Sequence, residues 1–102
     1  MRLSRESVTM KNALEVKKEG YTSLDRGDAQ MDFSAVQEVD SSAVSVLLSW
    51  MRYAKKKGLT LEVFHVPQSL VSLLTLYGIL PLFAKNISIV ITHEQASKGQ
   101  SH

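Results

Sequence analysis

The stretch that decides the fold covers residues 39–50 and reads V-D-S-S-A-V-S-V-L-L-S-W. An acid and two hydroxyl residues pass directly into an apolar run whose spacing is that of an amphipathic helix. Two adjoining rows of apolar residues share one wide face: Val44, Leu47, Leu48 and Met51, and Ala43, Leu47, Trp50 and Ala54. The pattern predicts a helix over residues 42–57, with the polar residues at its N-terminus.

Asp40, Ser41 and Ser42 therefore lie where a helix presents unpaired backbone N–H groups and the positive end of its dipole. All three residue types cap helices well, and a cap contributes roughly 1 kcal/mol, but only one side chain can occupy the cap position. The remaining hydroxyls have two interpretations. They are surplus helix-start residues, which is the commoner situation, or they contact a phosphate or a protein partner.

The composition is that of one soluble globular domain. The chain has 102 residues, of which 44% are apolar and 22% are charged, and its formal net charge is +2. This charge is too small to predict a nucleic-acid-binding protein. Cysteine is absent, which excludes disulfides and thiolate metal sites. We expect no cofactor and no metal.

Two features bear on location. No basic-then-apolar leader is visible in residues 1–10. The longest apolar region, residues 70–84, is interrupted by polar residues, Gly78 and Pro81, and it is shorter than the ~20 residues of a membrane-spanning helix. We therefore expect a cytoplasmic protein that does not cross a membrane by itself.

The segments around the central helix alternate between helix and strand patterns. Those before it predict a helix at residues 10–23, capped by Thr9 and weakened or ended by Gly20, a strand at residues 29–34, and a loop from which Val36 and Val39 point inward. Those after it predict an interior strand at residues 59–66, a helix with Ser69 as its cap and Leu70, Leu73, Leu74 and Tyr77 as its buried row, an apolar turn at residues 79–83 and a last strand at residues 87–92.

This order predicts an α/β domain with a small, mostly parallel sheet and helices packed on it. Residues 1–92 are expected to form a single domain, and residues 93–102 to form a polar, flexible tail.

The usual signatures of catalysis are absent from the sequence. There is no nucleophile elbow, no glycine motif for phosphates or dinucleotides and no zinc-protease motif. A serine hydrolase would need a histidine beside Ser41 or Ser42, and His65 is the candidate. A surface or structural role is commoner for such a histidine, so an enzyme is the minority interpretation.

Residues 32–50, D-F-S-A-V-Q-E-V-D-S-S-A-V-S-V-L-L-S-W, resemble the central segment of STAS domains, a family that includes anti-sigma factor antagonists and the cytoplasmic domains of sulfate transporters. In that family a strand and a short loop lead into a D-S motif at the start of a helix. The likeness continues through A-K-K-K-G-L-T-L-E-V and P-Q-S-L-V-S-L-L-T-L-Y-G-I and covers roughly residues 3–91. It implies a STAS-like (SpoIIAA-like) fold.

Within the family, the V-D-S start, the L-L-S-W run and the Leu-Tyr-Gly helix end are most similar to the STAS subunits of Mla-type phospholipid ABC transporters of Gram-negative bacteria. The resemblance implies a non-enzymatic module that binds the ATPase subunit, peripheral to the inner membrane on its cytoplasmic face, and that supports lipid transport for outer-membrane asymmetry. The alternative is a regulator, similar to anti-sigma factor antagonists, that is switched by serine phosphorylation.

The resemblance also implies roles for single residues. The phosphorylated serine of the antagonists falls on Ser42, and the hydroxyl residue that matters in the transporter subunits falls on Ser41. Asp40, Ser41, Ser42 and Ser45 are therefore the expected partner-binding or regulatory residues, with Ser42 and Ser41 as candidate phosphoacceptors.

The sequence departs from the family pattern in two places. Ala43 stands where many members have glycine, and the segment before the first helix is short. Because members normally begin with one or two strands, the first hairpin is expected to be missing or replaced. Pairing with another chain is one way to replace it, which makes a homodimer a further expectation.

Overall fold

A computed structural model describes residues 1–79 and the strand at residues 87–90. This part of the chain contains helices α1 (Ala13–Asp25), α2 (Ser41–Lys56) and α3 (Gln68–Leu76) and strands β1 (Ser7–Val8), β2 (Gln30–Asp32), β3 (Glu38–Val39), β4 (Leu61–Phe64) and β5 (Ile87–Val90). The α/β class is confirmed. The predicted tail and most of the predicted apolar turn lie outside the described residues.

Strand β4 lies at the centre of a three-stranded sheet, between β2 and β5, and pairs with both in parallel. Leu61 and Val63 are fully buried, and the residues between and after them are half-buried. This two-sided burial confirms the interior strand that the sequence predicts, although the strand is shorter than residues 59–66. Strand β2 is likewise shorter than residues 29–34.

The segment before α1 runs in parallel along β2 and then along β3. The backbone N–H of Leu3 donates to the carbonyl of Asp32 at 3.0 Å, and β1 pairs with β3 so that Ser7 lies opposite Glu38. The expected loop at residues 35–40 therefore contains a short strand. The missing hairpin is replaced, within the described chain, by this interrupted parallel segment.

Helix α1 begins at Ala13, so the predicted start at Met10 with Thr9 as cap is wrong. The reason is the side chain of Asn12, whose Oδ1 accepts the N–H of Thr9 and whose Nδ2 donates to the carbonyl of Ser7, both at 3.0 Å. These bonds hold residues 9–12 in a turn before the helix starts. The helix then continues through Gly20 to Asp25.

The other two helices match their predicted positions within a few residues. Helix α2 begins one residue earlier than predicted and is followed by Gly58, whose φ of +74° is the left-handed conformation expected of a glycine after a helix. Helix α3 follows Pro67, so the prediction of Ser69 as cap is wrong. Tyr77 lies beyond its last turn and is 51% exposed, whereas Leu70 and Leu74 are buried.

Trp50 joins α1 to α2 in the core. Its side chain is fully buried, and its indole Nε1 donates to the backbone carbonyl of Lys17 at 3.0 Å. Gly20 lies against the same indole, since a Cβ at this position would come within 2.1 Å of Cε2 and Nε1. Gly20 is therefore not a weak point of α1 but the residue that lets the two helices approach.

We expect Gly20→Ala to lower the free energy of unfolding by about 1–3 kcal/mol, because the added methyl group must displace the indole. Urea unfolding measures the loss. Lys18→Ala, at an exposed position of the same helix, is the control and should stay within about 0.5 kcal/mol of the parent. In a Trp50→Leu background, which lacks the clashing atoms, Gly20→Ala should cost clearly less, and an equal cost would contradict the contact.

Candidate functional site

Asp40 is the cap of α2. Its backbone is extended, with φ of −130°, and its Oδ1 accepts the N–H of Ser42 at 2.8 Å. Of the three candidate cap residues, the acid thus fills the cap position. Ser41 is exposed in the first turn and Ser42 is half-buried beside it, so both hydroxyl residues are left at the surface of the helix start.

The same carboxylate also connects α2 to the turn before α1. Its Oδ2 accepts the N–H of Met10 at 3.1 Å. Burial raises the pKa of the Asp40 carboxyl, but the hydrogen bonds from the N–H groups of Ser42 and Met10 outweigh burial and hold that pKa below its ordinary value. The ionised side chain therefore fixes the helix start relative to residues 9–12.

A surface groove of about 290 Å³, which we call the α1/α2 groove, begins beside this helix start. It is lined by Met10, Ala13, Leu14, Lys17, Ser42, Ser45 and Val46. Met10 and Leu14 are 74% and 59% exposed, and because both line the groove they give it an exposed apolar wall. Ser42 and Ser45 lie on the opposite wall, and Ser41 lies outside the lining.

Met10 and Leu14 are the residues of the groove that the sequence pattern does not reveal. In the predicted helix they count toward the apolar face, but the core side of α1 carries Val16, Gly20 and Leu24 instead. The signal that could have found Leu14 is angular, because position 14 lies about a third of a turn or more away from positions 16 and 20 on a helix. Met10 lies in the turn before α1, where helical spacing does not apply.

His65 is the histidine that a serine hydrolase would need beside Ser41 or Ser42, but it has a different partner. Its Nδ1 lies 2.9 Å from Oδ1 of Asp32, at the carboxyl ends of the paired strands β4 and β2. Its φ of +56° places a non-glycine residue in the left-handed region. The structure therefore joins His65 to Asp32 and does not bring it into the α1/α2 groove.

Within residues 1–79 and 87–90, no three His, Asp or Glu side chains are grouped so that they could hold a metal ion. In the same residues no helix has the length and apolar character needed to span a membrane.

Comparison with known families decides what kind of domain carries this site. Residues 3–82 match the family model described as "Mlab, STAS domain". The chain belongs to the STAS domain family. Domains of this family are generally protein-interaction modules rather than enzymes. A search of the curated proteins found no match to the sequence.

Two solved structures share the STAS fold of this chain. One is a chain from Thermotoga maritima described as an anti-sigma factor antagonist, with a TM-score of 0.68, 17% identity and coverage of 99% of this chain and 86% of that one. The other is the anti-sigma factor antagonist SpoIIAA in its unphosphorylated form, with a TM-score of 0.59, 14% identity and coverage of 98% and 84%. These likenesses confirm the SpoIIAA-like fold.

In this STAS domain, the structure brings three of the four sequence-predicted site residues to the groove or its support. Ser42 and Ser45 line the groove, and Asp40 holds the helix start beside Met10. Ser41 is exposed in the first turn of α2. The site is therefore a surface that combines serine hydroxyls with exposed apolar side chains.

We expect Asp40→Ala to lower the free energy of unfolding by about 1–2 kcal/mol near neutral pH, because two backbone N–H groups lose their acceptor. Since the folded pKa of Asp40 is lowered, the contribution of the carboxylate is complete above the pKa of the unfolded chain. It is lost as the pH falls through the folded pKa. The stability difference between the parent and Asp40→Ala should therefore shrink from about pH 7 to about pH 3 in urea unfolding.

Glu38→Ala, two residues earlier at an exposed position, is the control and should change stability little at neutral pH. A difference between the parent and Asp40→Ala that is the same at both pH values would show that the ionised carboxylate does not hold the helix start.

Proposed function

We propose that this STAS domain is a non-enzymatic accessory subunit that binds the ATPase of a Mla-type phospholipid ABC transporter. In this proposal the domain is cytoplasmic, peripheral to the inner membrane through the transporter, and supports the lipid transport that maintains outer-membrane asymmetry. The match to the family model described as "Mlab, STAS domain" supports the choice of transporter. The exposure of Met10 and Leu14 beside the start of α2 is the structural observation that carries a protein-binding role.

Single apolar side chains at a protein surface are normal, but apolar side chains that line one groove together form a patch that a partner can cover. A partner that covers Met10 and Leu14 would remove their apolar surface from water, which contributes a favourable free energy of about 25 cal/mol per Å² of buried surface. Ser41 and Ser42 stand beside them and offer hydroxyl donors and acceptors, which suits the polar rim of an interface. The proposed contact surface is therefore the start of α2 together with the α1/α2 groove.

We expect Ser41→Arg to abolish co-purification with the ATPase subunit, because a long charged side chain at the exposed first turn would hold the partner away. Affinity pull-down of the tagged domain, co-expressed with the ATPase subunit, measures this. Thr60→Arg is the control, since it introduces the same side chain at an exposed position directly before β4.

The control should co-purify as the parent does, and circular dichroism should show that both variants fold. If Ser41→Arg retained the ATPase at the parent level, the start of α2 would not be the interface. If the parent itself did not bind the ATPase, the transporter function would be wrong.

The second candidate function is a regulator switched by phosphorylation of Ser42. The observation that favours it is the position of Ser42, which lines the groove while its N–H is bound by the Asp40 carboxylate. A phosphate would add a charge of about −1.5 to −2 next to that carboxylate. The repulsion would weaken the cap and change the charge of the groove, so that a partner would distinguish the two states.

Intact-mass measurement tests the switch after incubation with ATP and the candidate anti-sigma kinase from the same genome. We expect one added phosphate, about 80 Da, that Ser42→Ala abolishes and that Ser45→Ala, one turn further along the same wall, retains. No mass increase in the parent would contradict the regulator and leave the transporter module as the proposal.

A further inference from the structure

We propose that the partner segment bound along α1 and α2 is an acidic amphipathic helix, with apolar side chains against Met10 and Leu14 and carboxylates against Lys17, Arg52 and Lys56. This inference rests on the proposed function in one respect, since it names the part of the partner that occupies the groove. It goes beyond that function because it specifies the chemistry and direction of the contact.

A second depression of about 200 Å³ lies further along the same two helices and is lined by Tyr21, Ser49, Arg52, Tyr53 and Lys56. Together the two depressions form what we call the α1/α2 seam. One end of the seam is apolar and the other end is basic.

The residues that line the seam follow the spacing of helix-helix packing. One series on α1 and the turn before it consists of Met10, Leu14, Lys17 and Tyr21, and one series on α2 consists of Ser42, Ser45, Ser49, Arg52 and Lys56. Ala13, Val46 and Tyr53 complete the lining beside these two series. Both series advance by alternate steps of three and four residues, which is the spacing of a stripe that faces one neighbouring helix. A third helix can pack into such a groove by placing its own side chains between the two stripes, as helices do in bundles.

The charge of the seam has one sign. Lys17, Arg52 and Lys56 line it, and among the described residues that line the two depressions there is no carboxylate. None of these three cations forms an ion pair with another described residue. A partner that supplies carboxylates would therefore find cations that the described chain does not neutralise.

The acids of α1 and its end are engaged elsewhere. Glu15 and Glu19 form ion pairs with Arg5 on the other flank of the helix. Asp25 accepts the hydroxyl of Tyr53 at 2.7 Å and pairs with Nζ of Lys57 at 3.0 Å. The Tyr53 hydroxyl and Lys57 lower the pKa of Asp25, so that this carboxylate stays ionised. It lines neither depression, and the cation that pairs with it is Lys57 and not a cation of the seam.

The positions of these groups set the order of side chains in the partner. From the apolar end at Val46 to the basic end at Lys56 there are about three helical turns, or roughly 15 Å. The partner helix therefore carries the carboxylates that meet Arg52 and Lys56 about two to three turns away from its apolar side chains, and the carboxylate that meets Lys17 about one turn away. A helix that is apolar throughout, or one with basic residues in place of the acids, would not match the seam.

The first test uses a fluorescein-labelled helical peptide of roughly 18 residues, with two leucines on one turn, one glutamate about one turn later and two glutamates two to three turns later on the same face. Fluorescence anisotropy measures binding to the full chain at low ionic strength. We expect Lys56→Glu to weaken binding about fivefold or more, and Lys55→Glu to leave it within about twofold. The two lysines are adjacent, exposed and in the last turn of α2, so that both variants carry the same cost at the helix dipole, but only Lys56 lines the seam.

A second peptide, in which the three glutamates are replaced by lysines, should bind more weakly than the first. Leu14→Ser should weaken the first peptide, and added salt should weaken it in the parent but less in Lys56→Glu. Equal effects of Lys56→Glu and Lys55→Glu, or equal binding of the two peptides, would overturn the inference. Binding of phosphatidylglycerol vesicles that depends on Lys56, with no binding of the peptide, would also overturn it in favour of a lipid surface.

The ATPase subunit provides the test that separates this inference from the proposed function. If the parent binds the ATPase and Lys56→Glu and Lys55→Glu bind it equally, the acidic helix is wrong and the transporter function stands. If the parent does not bind the ATPase but binds the acidic peptide in a manner that depends on Lys56, the transporter function is wrong and the seam is retained as the site of an acidic helix.

Discussion

The contact between the Trp50 indole and Gly20 is the constraint on which the candidate site depends. The indole fills the space that a side chain at position 20 would occupy, and its Nε1 is bound to a carbonyl of α1. This contact sets the distance between α1 and α2 and their relative rotation. Because the groove and the seam have one wall on each helix, their shape is determined in the core of the domain and not at the surface where a partner would bind.

Asp40 fixes the relative position of α1 and α2 at the end of the groove where α2 begins. A single carboxylate accepts one N–H from α2 and another from the turn before α1, so that the two walls of the groove are joined at their common end. The cap is therefore filled by Asp40, and Ser41 is left exposed in the first turn of α2. This arrangement fits a binding surface, because the exposed Ser41 hydroxyl that a partner could contact is not the group that caps the helix.

The sequence predicts the elements whose residues follow a local pattern and fails where the decisive contact joins distant residues. The α2 helix, β4 and the glycine after α2 are predicted correctly because apolar spacing and helix-end chemistry lie within one segment. Gly20 looks like a helix breaker because its partner, Trp50, lies 30 residues away. Leu14 looks like a core residue for the same reason, since its exposure depends on how α1 is rotated against α2. Met10 looks like one because the turn that Asn12 holds before α1 is not visible in the helical spacing. The family resemblance predicted the fold and named Ser41 and Ser42 as candidate site residues, but it did not predict the basic end of the seam.

The parallel pairing of the described strands has a consequence for how the chain reaches this structure. Each pairing, β1 with β3, β2 with β4 and β4 with β5, joins residues that lie roughly 30 positions apart, and none of these pairs is a hairpin. The sheet cannot form through contacts between residues that are close in sequence. Each pair of strands can form only after the chain between them, which includes a helix, has crossed back over the sheet. In a chain leaving the ribosome, the first eight residues stay without strand partners until residues 30–39 have emerged. The close packing of α2 on α1 would then help to bring residues 1–8 and residues 30–39 into contact.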